Sequence, residues 1–99
     1  MTINKQLNGE VLTISLEGRL DTLTSTELDA ELPKIDDKVK EVILDLEKLD
    51  YVSSSGLRVI LALHKKMEAR GKLIIKNLTP QVEEIFSICG FIRVLNFQK

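Results

Sequence analysis

The 99 residues carry 43% apolar and 29% charged side chains with a formal net charge of −1, which is the profile of one foldable domain and excludes a disordered chain. No basic tail or patch marks a nucleic-acid binder, and no apolar run approaches the roughly 20 residues of a membrane span. One cysteine and one histidine exclude an internal disulfide and argue against a structural zinc site, and no secretory signal is evident, so the cytoplasm is the expected location.

In chain order, Ile3 to Leu7 alternates as a short strand, with Ile3, Lys5 and Leu7 on one face. Asn8-Gly9 is the strongest short-range hairpin signal, because both residues tolerate positive φ. Glu10 to Glu17 is the return strand, with Leu12, Ile14 and Leu16 facing the core. Gly18 is expected to stop the ladder, leaving Gly18-Arg19-Leu20-Asp21-Thr22 as a loop. Thr24-Ser25-Thr26-Glu27 fits a capping box with Thr24 as N-cap, and Leu23 and Leu28 hold the hydrophobic-staple positions. Pro33 limits the short helix that follows.

Val39 to Leu46 is the second major strand. Its Val42-Ile43-Leu44 run is apolar on both faces, as expected for a central strand covered on both sides. A long helix is expected from about Ser54 to Arg70, with Gly71 as its stop. Leu57, Ile60, Leu63, His64 and Met67 fall on its inner side, and Ser54, Arg58, Leu61, Ala62 and Lys65 run along the adjacent one. Lys72 to Asn77 is a third strand. Thr79-Pro80 opens the last helix, with Thr79 as N-cap and Pro80 at the first helical position. Val82, Ile85, Phe86 and Cys89 form its inner face and Gly90 closes it. Arg93 to Phe97 is a final strand. The order β-β-α-β-α-β-α-β implies a single α/β domain over residues 1–99: a mixed, mostly parallel sheet with an N-terminal β-hairpin and helices packed on it.

The stretch that carries chemistry is Ser53-Ser54-Ser55-Gly56, between a strand and a helix. A nucleophile elbow needs glycine on both sides of the serine, and Val52 stands at one of those positions. His64 lies ten residues along the same helix and points elsewhere, so no catalytic triad forms and no catalytic residue is expected. Asp21, Asp45 and Asp50 read as loop caps, since no lysine completes a phospho-accepting magnesium site around them. Phosphate-loop and dinucleotide motifs are missing, so neither metal nor cofactor is expected. An N-cap accounts for one hydroxyl. It accounts neither for three in a row nor for a glycine in the first helical turn, which costs about 1 kcal/mol relative to alanine. Gly56 implies that something approaches the backbone closely there. The residues alone leave a cap cluster and a modified serine both open.

Ser53-Ser54-Ser55-Gly56-Leu57-Arg58-Val59-Ile60-Leu61, preceded by Leu49-Asp50-Tyr51-Val52, resembles the signature of the STAS domain. More narrowly, it is similar to that of the bacterial anti-sigma factor antagonists. Leu16-Glu17-Gly18-Arg19-Leu20-Asp21 and Lys72-Leu73-Ile74-Ile75-Lys76-Asn77-Leu78-Thr79-Pro80 match as well, so the likeness covers nearly the whole chain. The resemblance implies a protein-binding switch, not an enzyme. The unphosphorylated antagonist would bind an anti-sigma factor, itself an ATP-using serine kinase, and free the sigma factor. Phosphorylation would switch it off, and a metal-dependent phosphatase of the PP2C type would reset it. The acceptor maps onto Ser54, with Ser53 and Ser55 as alternatives because Ser53 stands where the family has aspartate. The implied docking face takes in Asp21, Thr22, Ser53, Ser54, Ser55 and Gly56 with the line Arg58, Leu61, Ala62 and Lys65. Direct contact with nucleic acid or membrane is not implied. A second reading within the family is a soluble subunit of a lipid-handling ABC transporter, which needs no phosphoserine. A phosphate adds roughly −1.5 to −2 charge, and a helix start tolerates it, so modification is expected to leave the fold intact.

Overall fold

The computed structural model describes residues 1–90 and 95–98. Its elements are β1 (Thr2–Asn8), β2 (Val11–Leu20), α1 (Thr24–Glu31) with a following 3-10 turn (Leu32–Lys34), β3 (Glu41–Val52), α2 (Ser54–Glu68), β4 (Lys72–Lys76), α3 (Pro80–Ile88) and β5 (Asn96–Gln98). Of the strand expected over Arg93 to Phe97, Arg93 and Val94 lie outside the described residues; Leu95 precedes β5, which runs one residue further, to Gln98. Sheet order is β1-β2-β3-β4-β5. The hairpin pair β1–β2 is antiparallel and every other neighbouring pair is parallel. Gly9, at φ 64°, makes the hairpin turn.

Sheet order follows chain order, and this decides where the core lies. Parallel strands joined by right-handed crossovers, each stepping in the same direction, put every connecting helix on one face. The packing agrees: α1 lies on β2, α2 on β3 and β4, and α3 on β3. Leu12, Ile14, Leu16, Val42, Leu44, Leu46, Leu73 and Ile75 are buried beneath the helices. Val11, Thr13, Ile43 and Ile74, on the other face, are only half-buried. The expectation that β3 is covered on both sides is therefore corrected. Ile43 is apolar because it sits between its cross-strand neighbours Thr13 and Ile74, not because a second layer covers it.

Both strands that lead to the serines are longer than their hydrophobic pattern indicates. β2 does not stop at Gly18: that residue adopts φ 109°, pairs with Leu49, and the ladder continues to Leu20 opposite Val52. β3 runs on past Leu46 through two irregularities. Ser15 pairs with Asp45 but Glu17 with Lys48, and Gly18 pairs with Leu49 but Arg19 with Tyr51. Each step inserts one extra residue into β3, the signature of a bulge. The inward positions accordingly move from a spacing of two (Val42, Leu44, Leu46) to a spacing of three (Leu49, Val52), all of them buried. The loop expected from Gly18 to Thr22 shrinks to the turn around Thr22 and Leu23.

The start of α1 also differs from expectation. Leu23 already has helical angles, φ −75° and ψ −50°, and the capping group is Asp21. Its Oδ1 accepts from the amides of Leu23 at 3.1 Å and Thr24 at 2.9 Å, and its carbonyl accepts from Ser25 N at 2.8 Å. Thr24 Oγ1 returns the favour by accepting from Asp21 N at 2.8 Å. This is a reciprocal capping box displaced three residues towards the N-terminus. Leu23 is 78% exposed, so it forms no staple with buried Leu28.

The inner face expected for α2 holds, with Leu57, Ile60, Leu63, His64 and Met67 all buried. The helix ends at Glu68 instead of Arg70. Gly71 is required by space, since a Cβ there would lie 1.6 Å from the Lys40 carbonyl oxygen. Thr79 caps α3, accepting from Val82 N at 3.4 Å, and Gly90 leaves it at φ 77°. Cys89 is exposed at the helix's C-cap and does not fill the core.

Candidate functional site

The bulged end of β3 delivers Ser53 directly to the start of α2. Ser53 is extended, at φ −89° and ψ 172°. Its Oγ accepts from Gly56 N at 3.1 Å and its carbonyl from Leu57 N at 2.9 Å. Its own amide donates to the Leu20 carbonyl at 2.8 Å, tying the helix start to the end of β2. Ser53 is therefore the N-cap, doing what an aspartate at this position would do: supply a side-chain oxygen to the third amide of the helix.

Gly56 is buried, and the close approach it permits comes from the chain itself. A Cβ on Gly56 would lie 2.7 Å from Leu20 Cγ and 3.0 Å from the Leu20 carbonyl oxygen. Gly56 thus supports the site from beneath and is not part of its surface. Leu20 and Asp21 together fix both helices, one by packing under α2, the other by capping α1. The hydrogen bonds from Thr24, through its amide and its hydroxyl, hold the Asp21 carboxyl below its ordinary value against some desolvation, with smaller help from the Leu23 amide and Arg19.

Between α1 and α2 lies a groove with two walls. Thr22, Ser25, Thr26 and Asp29 line one; Ser55, Arg58, Val59 and Ala62 line the other. The α2 residues recur at i, i+3, i+4 and i+7, a single helical stripe. Ser54, Arg58, Ala62 and Lys65 are exposed, while Ser53, Ser55, Val59 and Leu61 are half-buried. The structure therefore brings Thr22, Ser55, Arg58 and Ala62 together in the groove. Ser54, Leu61 and Lys65 lie on the adjacent ridge of α2, and Arg58 belongs to both lines. Val59 and the α1 wall, Ser25, Thr26 and Asp29, were not singled out from the sequence. Val59 shares the helical stripe of Ser55 and Ala62, so that spacing was available as a signal. Nothing local marks the α1 residues, because their role depends on how two helices pack.

The other chemistry lies apart. His64 is buried, its Nε2 3.7 Å from Glu68 Oε2, and ten helical residues separate it from Ser54, about 15 Å along the axis. Of the three aspartates expected to cap loops, only Asp21 lies outside a strand: Asp45 sits inside β3, where it accepts from Glu47 N at 3.1 Å and from Asn77 Nδ2 at 3.2 Å, and Asp50 is exposed within the same strand. Arg19 stacks on its cross-strand neighbour Tyr51, 4.4 Å from the ring centroid. A smaller concavity on the bare sheet face, among Asn4, Ser15, Asp45 and Lys48, lies away from the serines.

The STAS domain family model matches residues 2–99. The chain belongs to the STAS domain family. This STAS domain is 38% identical over 86 residues to a protein of Bordetella bronchiseptica named as an anti-sigma factor antagonist, BtrV, a match spanning 85% of this chain and 74% of that one. It is 26% identical over 88 residues to the anti-sigma F factor antagonist of Paenibacillus polymyxa, covering 86% of this chain and 75% of the other. Its fold matches that of the anti-sigma factor antagonist SpoIIAA. The unphosphorylated form of SpoIIAA superposes with a TM-score of 0.78 at 22% identity, over 99% of this chain and 88% of that one. The phosphorylated Bacillus form gives 0.76 at 22% identity, over 99% and 92%. Among the described residues, no helix is long and apolar enough to cross a membrane.

Proposed function

We propose that this STAS domain is an anti-sigma factor antagonist gated by phosphorylation of Ser54. In the unmodified state the groove between α1 and α2, with the ridge beside it, docks an anti-sigma factor and frees the sigma factor in the cytoplasm. That partner is also a serine kinase. In the switching step Ser54 Oγ attacks the γ-phosphorus of ATP and gives up its proton, and ADP leaves. A PP2C-type phosphatase hydrolyses the ester and resets the switch. The protein itself is not the catalyst and touches neither nucleic acid nor membrane.

The observation that carries this reading is the division of labour among the three serines. Ser53 Oγ is committed to the cap, Ser55 is half-buried in the groove wall, and Ser54 alone is exposed. A kinase needs an accessible hydroxyl, and Ser54 offers it at the edge of the docking surface. A phosphate there adds roughly −1.5 to −2 charge beside unpaired first-turn amides that favour an anion. The names of the two curated relatives support the antagonist over the transporter subunit.

Incubation with the cognate kinase and ATP, followed by intact-mass spectrometry and site mapping, tests the proposal. One phosphate on Ser54 is the expected result. Absence of any phosphate overturns the gating, and a phosphate on Ser53 or Ser55 overturns the assignment of the acceptor.

A further inference from the structure

Ser54 and Arg58 stand four residues apart on α2 and both are exposed. Residues at that spacing are surface neighbours, about 5–6 Å apart at Cβ, and an anion placed four residues before a cation is the favoured order. Among the described residues Arg58 takes part in none of the ion pairs, which engage Lys5, Lys34, His64, Arg70 and Lys72. The competing cations are badly placed. Lys65 is eleven residues from Ser54, about 16 Å along the helix, and Arg19 is stacked on Tyr51. Arg58 also lines the docking groove, so one guanidinium serves both the ridge and the groove.

We infer that Arg58 is the internal counter-ion of phosphorylated Ser54, and that phosphate and docking partner compete for it. In the unmodified protein the guanidinium is available at the groove to an acidic group of the partner. Once Ser54 carries a phosphate, the planar fork of Arg58 turns to two phosphate oxygens, the geometry guanidinium groups favour. Phosphorylation then acts twice at the same edge. It adds up to two negative charges, which change the net charge of the edge by up to two, and it turns the one guanidinium there away from the partner. This rests on Ser54 being the acceptor.

The test separates the two claims by installing phosphoserine at position 54 during translation, with no kinase involved. The second ionisation of the phosphate, near pH 6 in free phosphoserine, is followed by phosphorus NMR. In Arg58→Gln it is expected to rise by about 0.15 to 0.4 of a unit relative to the unsubstituted protein. Lys65→Gln is expected to leave it unchanged, and Arg58→Lys to recover part of the difference. An identical titration with and without Arg58 overturns the counter-ion, even where the kinase does modify Ser54. Failure of the kinase to modify Ser54 strikes the gating proposal alone and leaves the titration readable.

Discussion

Gly56 is packed against Leu20 so closely that a single added methyl group would lie 2.7 Å from the leucine Cγ and 3.0 Å from its carbonyl oxygen. That carbonyl is the one that accepts from Ser53 N. The glycine of the serine stretch is therefore a structural requirement of the helix start. Gly56→Ala is expected to destabilise the protein by about 1–3 kcal/mol, the usual cost of overpacking a tight interior. Urea denaturation of Gly56→Ala, Leu20→Ala and the double variant checks it. Leu20→Ala alone is expected to cost about 2–5 kcal/mol. In its presence the added cost of Gly56→Ala should shrink, because the colliding side chain is gone. Strict additivity of the two costs would refute the contact.

Ser53 and Ser54 separate under substitution. Ser53→Ala removes the oxygen that caps Gly56 N and is expected to cost about 1 kcal/mol. Ser53→Asp keeps a capping oxygen at the helix start and adds a negative charge there, so its denaturation midpoint should match or exceed that of the unsubstituted protein. Phosphate should still map to Ser54 in both. An unchanged midpoint for Ser53→Ala would show that the cap contributes nothing.

Asp21 gives the protein a pH dependence of known sign. Its carboxyl is held below the ordinary value of 3.8 by Thr24, first through the amide and then through the hydroxyl. A carboxyl depressed in the folded state stabilises fully above its unfolded value, and the contribution is lost as pH falls through the folded one. Asn at position 21 keeps a capping oxygen but not the charge. The stability difference between the unsubstituted protein and Asp21→Asn should be constant near neutrality and shrink below about pH 4. Parallel urea denaturations down the acid range measure it, and a difference that grows on acidification would reverse the assignment.

The proposed docking groove is open to a steric test. Ala62→Arg places a long cation where the groove wall is exposed and small. It is expected to weaken binding of the cognate anti-sigma factor at least tenfold while stability stays within about 0.5 kcal/mol. Ser54→Asp should abolish that binding with stability within about 1 kcal/mol. Calorimetric titration against the partner reads both, and undiminished affinity in either variant would move the docking surface elsewhere.

What was legible in the sequence was local. Asn8-Gly9 turns the hairpin, Thr79-Pro80 starts α3, and Leu57, Ile60, Leu63, His64 and Met67 are buried on α2, because each depends on residues within a turn or two. The ends of β2 and β3 were not legible. Two extra residues in β3 turn a spacing of two into a spacing of three at Leu49 and Val52, and a glycine inside β2 looks like a stop. Thr24 lost the cap to Asp21 because two overlapping boxes were available and tertiary position chose between them. Within the candidate site, the serines and the α2 ridge were visible from motif and spacing. The neighbour of Gly56 lies thirty-six residues earlier in the chain, and the α1 wall of Thr26 and Asp29 faces α2 only after folding. Cys89 was misplaced for a simple reason: it continues the apolar spacing of α3, but the helix ends beneath it.

The clasp at the far end of α2 has a consequence for how a signal leaves this molecule. Gly71 sits against the Lys40 carbonyl and Arg70 Nη1 reaches Asp37 Oδ1 at 3.1 Å, while the opposite end is held by Leu20. Contacts at both tips oppose sliding of the helix, so on the proposed function a message written on Ser54 is read where it is written, by whatever arrives at that edge. A partner would then sense altered charge and shape directly, and the remainder of the domain would serve as a still mount for the mark.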